Sequence, residues 1–266
     1  MMRSNFMKER LAQLADSMVD IPFNDFEMYH SADQKGSLER GGTCVFLMNE
    51  FLKRLGKEFP EIAHTIIQAR EFIHYAAILH TPEGDMFFDP FLRMPEPLSV
   101  PTGHGESKRF PCYPQDAVER IDWELSNRTK RRKHLLWAIR HLHVEGDGDF
   151  RVPFHSYIIP FCGIEPIDEF DITYERKKAM SVGVFENING TRRSFSLLRR
   201  ITYKKSPMTS FCSGGKVGHP ESSRNVFLEN LEPIAARFGM TVAELLEYVE
   251  YAVKMREKLR EVLFEE

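Results

Sequence analysis

The chain has few cysteines, no long apolar run and no surplus of charge of either sign. Its four cysteines (Cys44, Cys112, Cys162 and Cys212) are spread over 266 residues with no short paired spacing. That argues against a disulfide framework and against a paired-cysteine zinc site, and it predicts free thiols in a reducing compartment. A formal net charge of −3 gives no basic surface for nucleic acid or for an anionic membrane. No apolar stretch approaches a membrane span, and the charged start Met1-Met2-Arg3 is not followed by a signal-peptide core. His141-Leu142-His143 lacks a third ligand at a recognisable spacing, so no metal is expected. These absences predict a cytoplasmic protein whose business is neither nucleic acid nor membrane.

What is present centres on Arg40-Gly41-Gly42-Thr43-Cys44. From Val45 to Leu55 apolar residues (Val45, Met48, Phe51, Leu52, Leu55) recur at three- and four-residue intervals, and Gly56 supplies a helix stop. Cys44 is therefore expected at or just inside the first turn of a helix, behind two glycines that allow a tight turn. A thiol there faces unpaired N–H groups and the positive end of the helix dipole, an environment suited to a nucleophile. A cysteine after two glycines also fits a small buried core residue. The presence of a base decides between the two.

Two residues supply one. His74 opens the strand-like run Phe72-Ile73-His74-Tyr75-Ala76-Ala77-Ile78-Leu79; Thr81-Pro82-Glu83-Gly84-Asp85 signals a turn, and Met86-Phe87-Phe88-Asp89 reads as the return strand. An antiparallel hairpin would bring His74 and Asp89 near its open end, within reach of one imidazole–carboxylate bond. The register, which decides whether they share a face, is left open by the sequence. In triad logic the carboxylate sets the imidazole tautomer and the imidazole takes the thiol proton. The plainer reading is a structural histidine and an Asp-Pro turn opener.

Arg-Gly-Gly-x-Cys, a helix, then His and Asp fifteen apart resembles the arylamine N-acetyltransferase family, and Ile21-Pro22-Phe23 resembles the Pro-Phe segment carried ahead of its cysteine, with Asn24 nearest to the Asn that follows it there. The resemblance covers roughly residues 20–101. It implies a Cys44–His74–Asp89 triad, acetyl-CoA as acyl donor, an amine acceptor and a ping-pong reaction through an acyl-cysteine. The chain departs from the family in having Thr43 at a usually aromatic position, and in continuing as Asp89-Pro90-Phe91-Leu92, which is more similar to transglutaminase-like enzymes. A transglutaminase-like or cysteine-peptidase enzyme, an amide synthase, and a non-catalytic protein with a vestigial cleft are the alternatives.

The fold class expected is α+β: a helical domain over 1–64 carrying the cysteine helix, a β-rich middle over 65–200 with His74 and Asp89 that the strand pattern leaves as a barrel or a curled sheet and the resemblance implies is a β-barrel, and a C-terminal portion over 201–266, α/β by the resemblance, ending in a helix pair. Residues 4–18 read as an amphipathic helix with Met7, Leu11, Leu14 and Met18 on one stripe and Ser4 as N-cap. Arg40 is either the partner of a carboxylate that locks the glycine turn or a solvated side chain. Prolines at 90, 95, 97, 101, 111 and 114 exclude long helices there, and Pro95–Pro101 reads as an extended edge or loop. His104 and Ser213–Gly218 read as loops, although the latter has N–H groups able to approach a pyrophosphate. Arg128–His134 is the one dense basic run, a solvated face or a hold for the phosphates of coenzyme A. Strand-like pieces recur at 156–159, 164–167, 181–185 and 195–198, with an Asn-Gly hairpin turn between the last two. Ser223–Phe238 reads as a helix closed by Gly239, and Thr241–Glu244 as the capping box of a second one. The broad apolar face of the second (Leu245, Leu246, Val249, Ala252, Val253, Leu259, Val262) suits packing or homo-oligomer formation.

Overall fold

The first helix, α1 (Met2–Val19), buries Leu11, Leu14, Ala15 and Met18, spaced so that they fall on one face. It begins ahead of Ser4, which lies inside the first turn and not at the N-cap. The computed structural model describes residues 2–30, 36–69, 74–102, 105–115, 119–130, 133–144, 148–158, 179–200, 208–213 and 215–264. His104, Cys162, the strand-like piece 164–167, Arg131 and Arg132 lie outside the described residues. The chain divides into two compact units that interleave in sequence: Met1–Val19 with Leu47–Phe170, and Asp20–Phe46 with Asp171–Glu266.

In the first unit an eight-stranded antiparallel sheet has the order β5-β4-β3-β2-β9-β8-β7-β6. Its strands are β2 (Ala63–Ala69), β3 (Tyr75–Thr81), β4 (Gly84–Phe88), β5 (Leu98–Ser99), β6 (Ser107–Gln115), β7 (Glu119–Lys130), β8 (Lys133–Val144) and β9 (Gly148–Ile158). The expected barrel is not formed by the described strands, which make an open sheet with β5 and β6 as its edges. Proline explains both edges. β5 is two residues long between Pro97 and Pro101, while β6 contains Pro111 and Pro114 and shifts register between Cys112 and Gln115. Missing N–H donors and a bulge leave neither edge a regular partner for closure. The basic run falls on the β7–β8 hairpin, whose last described pair is Lys130 with Lys133.

The cysteine helix, α2 (Cys44–Glu58), runs through Gly56 instead of stopping there, and it buries Leu47, Met48, Phe51 and Leu55. Val45 and Leu52, expected in the apolar stripe, are half-buried. The Phe51 and Phe88 rings lie 4.1 Å apart, both fully buried, in the core of the first unit. Phe51→Ala should therefore cost about 3–5 kcal/mol of stability, read by urea unfolding. Residues 1–64 hold α1 and α2 as a helix pair, joined by Arg10–Glu58 at 2.7 Å and Arg54–Ser17 at 3.1 Å, and not a larger bundle.

The second unit carries a five-stranded antiparallel sheet: β1 (Phe23–Asn24), β10 (Ala179–Ile188), β11 (Thr191–Arg200), β12 (Met208–Cys212) and β13 (Val217–Gly218), in that order. β10 and β11, expected within the barrel, belong here. Asn189 and Gly190 both take positive φ (53° and 81°) between the paired Ile188 and Thr191, as the Asn-Gly turn predicts. The alternating Met180, Val182, Val184 and Phe195, Leu197 face inward and pack on α3 (Arg224–Arg237) and α4 (Val242–Phe264). The capping box at the start of α4 is complete: Glu244 Oε2 accepts from the Thr241 backbone N–H at 2.7 Å and Thr241 Oγ1 from that of Glu244 at 3.2 Å. Leu245, Val249, Ala252 and Val253 of α4 are spent on this core. Of Ser213–Gly218, Val217 and Gly218 form β13, Gly214 lies outside the described residues, and the β12–β13 connection is closed by Cys212 N–H donating to Lys216 O at 3.0 Å. Among the described residues no helix is long and apolar enough to cross a membrane.

Candidate active site

The hairpin expected around His74 forms, with Thr81 paired to Gly84 and Ala77 to Phe88 across a two-residue turn. Beyond its open end, His74 and Asp89 meet: His74 Nε2 lies 2.6 Å from Asp89 Oδ2, and their side chains are 5% and 0% exposed. The shared bond places the ring proton on Nε2, because a carboxylate accepts. Asp89 is held from its other side as well. It N-caps a 3-10 turn over Pro90–Leu92, with Oδ1 accepting the Phe91 N–H at 2.9 Å. Asp-Pro is thus both a turn opener and part of the pair, since aspartate at N-cap and proline in the first turn are preferred helix starters.

The turn itself is anchored by Arg93, in the left-handed region at φ 56°, whose guanidinium donates to the Val19 carbonyl at the C-terminus of α1 at 3.1 Å. Cationic donors suit that end of a helix. Arg93 is 8% exposed, and no motif or periodicity marked it. Phe91 packs edge-on against His74, with ring centroids 5.0 Å apart. Cys112 on β6 is fully buried, and that burial, reinforced by the carboxylates of Asp89 and Asp122, pushes its thiol well up, so it stays protonated and unreactive.

Cys44 belongs to the second unit and is the first residue of α2, 2% exposed. Thr43 takes the N-cap position, its Oγ1 accepting the Phe46 N–H at 3.4 Å. The preceding turn is closed on itself by Ser37 and Gly41, which exchange backbone bonds of 2.8 and 2.6 Å. Two of the sequence segments that carried the resemblance, Ile21–Phe23 and Arg40–Cys44, meet here. Gly42 N–H donates to Pro22 O at 3.2 Å and Asn24 N–H to Gly42 O at 2.8 Å, while β1 pairs on its other side with β10. Gly41 has φ 75°, and a Cβ on it would lie 1.8 Å from Pro22 O, so the residue must be glycine.

Arg40 has no carboxylate partner among the ion pairs of the described residues. Its guanidinium lies 5.9 Å from the ring centroid of Tyr248 on α4, and its carbonyl accepts Asn24 Nδ2 at 2.8 Å. The structure thus brings His74 and Asp89 together in one unit and sets Cys44 at its expected helix start in the other. Among the described residues no group of His, Cys, Asp and Glu side chains could hold a metal ion. No family model matches the chain, and neither curated proteins nor solved structures yield a match.

Proposed function

We propose that the protein is an acyltransferase of the arylamine N-acetyltransferase type, with Cys44 as nucleophile, His74 as base and Asp89 as the residue that orients His74. The observation carrying this reading is the buried His74–Asp89 bond, with the second Asp89 oxygen fixed by Phe91. With Nε2 donating to a carboxylate that is itself held at both oxygens, the imidazole is fixed in one tautomer, and Nδ1 is the nitrogen that takes a proton in this reading.

In this mechanism His74 Nδ1 takes the Cys44 proton and the sulfur attacks the carbonyl carbon of an acyl-thioester such as acetyl-CoA. The tetrahedral oxyanion is stabilised by backbone N–H groups, including that of Cys44 at the start of α2. Collapse breaks the thioester C–S bond, and His74 returns the proton to the departing coenzyme A thiolate. An amine acceptor then attacks the acyl-Cys44 carbonyl, its proton passing to His74 and on to the Cys44 sulfur as the amide leaves.

The test is thiol release. Enzyme mixed with acetyl-CoA alone should liberate about one equivalent of coenzyme A in a burst, and an aromatic amine should convert the burst to turnover. Absence of any release would sink the acetyl-CoA reading, and deamidation of glutamine side chains by the same enzyme would move the donor to a transglutaminase-like class. Asp89→Asn should lower turnover by roughly 10³- to 10⁴-fold through loss of the imidazole tautomer, with the circular dichroism spectrum unchanged.

A further inference from the structure

We propose that Tyr248, on the C-terminal helix, is a positioning residue for Cys44, acting through the Arg40–Gly42 turn. Tyr248 is remote in sequence from the cysteine, yet its phenol is the centre of a buried polar cluster beneath that turn. The hydroxyl donates to Glu27 Oε2 at 2.7 Å and accepts from Asn24 Nδ2 at 3.0 Å. The same Asn24 amide nitrogen donates to the Arg40 carbonyl at 2.8 Å, while Asn24 Oδ1 accepts the Phe26 N–H at 3.0 Å. Asn24, Glu27 and Tyr248 are 0%, 7% and 6% exposed.

The ring is fixed as firmly as the hydroxyl. His30 stacks on it at 3.8 Å and 9°, His30 Nε2 donates to the Tyr248 carbonyl at 2.8 Å, and Arg40 lies over the ring. Burial, and then the bond to Glu27, push the phenol's proton loss far above its ordinary range, so the hydroxyl remains a donor at every working pH. A donor that cannot titrate fixes the direction of the whole chain of bonds: Tyr248 to Glu27, and Asn24 to both Tyr248 and Arg40. The Arg40 carbonyl is four residues before Cys44, and the intervening Gly41 and Gly42 are pinned to Ser37, Pro22 and Asn24 by backbone bonds alone. The phenol therefore sets, through Asn24, where the first turn of α2 presents its thiol and N–H. Bonds of this supporting kind govern placement at a reacting centre.

This inference rests on the nucleophile reading of Cys44, and its test separates the two. Cys44 alkylation by iodoacetamide is followed from pH 5 to 10, with kcat and KM for acetyl-CoA, in wild type, Tyr248→Phe and Tyr248→Phe/Glu27→Leu. The first variant keeps the ring and its stacking but removes the hydroxyl. The second also removes the carboxylate that would otherwise be buried without its donor, which restores stability if packing were the only role. The expected result is a fall of roughly tenfold in both alkylation rate and kcat, with KM unchanged, in both variants, including the double variant of recovered stability. Should the single variant fail to fold, the double variant carries the comparison. Wild-type profiles in Tyr248→Phe, or reactivity that returns together with stability in the double variant, would overturn the positioning role and leave Cys44 as nucleophile. A wild-type Cys44 no faster than an ordinary thiol would overturn the nucleophile reading and this inference with it.

Discussion

Cys44→Ala should abolish acyl transfer, lowering turnover by at least about 10³-fold, while the protein stays folded. The large effect follows from chemistry: without the Cys44 sulfur there is no nucleophile to form the acyl-enzyme, and the neighbouring Thr43 hydroxyl, a far weaker nucleophile, sits at the N-cap accepting the Phe46 N–H. The small structural effect follows from position. Cys44 is the first residue of α2, where alanine is a good helix former, and the change removes one buried sulfur and leaves a small void. The stability loss should be about 1 kcal/mol. Cys212 provides the control. It is half-buried, with its Sγ 3.1 Å from the Ser213 carbonyl in the β12–β13 hairpin, and Cys212→Ala should keep wild-type turnover. Coenzyme A release, circular dichroism and urea unfolding on the two variants check all three expectations.

Among the described glycines of the second unit, Gly41 should be the one at which alanine is most damaging. Two costs add. A left-handed backbone at φ 75° costs an L-residue about 1–2 kcal/mol. The new Cβ, 1.8 Å from Pro22 O, cannot be accommodated by turning a side chain, because the obstacle is backbone that itself accepts the Gly42 N–H. Displacing it would part the Pro22 segment from the nucleophile turn, so the total should be about 3 kcal/mol or more, with loss of Cys44 reactivity. Gly56→Ala is the opposite case. Gly56 lies inside α2 with nothing within 4 Å of its Cβ direction, so alanine should stabilise by about 0.5–1 kcal/mol. Urea midpoints moving in opposite directions for the two substitutions would bear out both arguments. Equal tolerance of alanine at both positions would contradict them.

The parts of the fold legible in the sequence are those fixed by neighbours a few residues away. The Asn189-Gly190 turn, the Thr241–Glu244 capping box and the turn at Pro82-Glu83 are written in local backbone chemistry, and each forms where the sequence places it. Cys44 at the start of α2 is legible in the apolar period that follows it, and the nearness of His74 and Asp89 in the turn signal of their hairpin, while the register that lets the two side chains bond is not. What required distant partners was not legible. Whether strands close into a barrel depends on which edges pair, and the join of β2 to β9 sets Gln68 against Ile158 across most of the first unit's sequence. Gly56 looked like a stop because glycine lowers helix propensity, but burial of Phe51 and Leu55 carries α2 on to Glu58. Arg93 and Tyr248 carry no mark in the sequence because their hydrogen-bond partners lie far away in the chain: Val19 for Arg93, and Glu27 and Asn24 for the Tyr248 hydroxyl. A single arginine after a proline-rich turn, or a tyrosine on an amphipathic helix, carries no mark of such a partner.

The most direct measurement is intact-protein mass spectrometry after brief exposure to acetyl-CoA, run on wild type and Cys44→Ala side by side. Acyl transfer through Cys44 predicts a gain of one acetyl group on the wild type alone, lost again when an aromatic amine is added. An acetyl group of equal occupancy on both proteins, or none on either with Cys44 alkylated no faster than a free thiol, would contradict it.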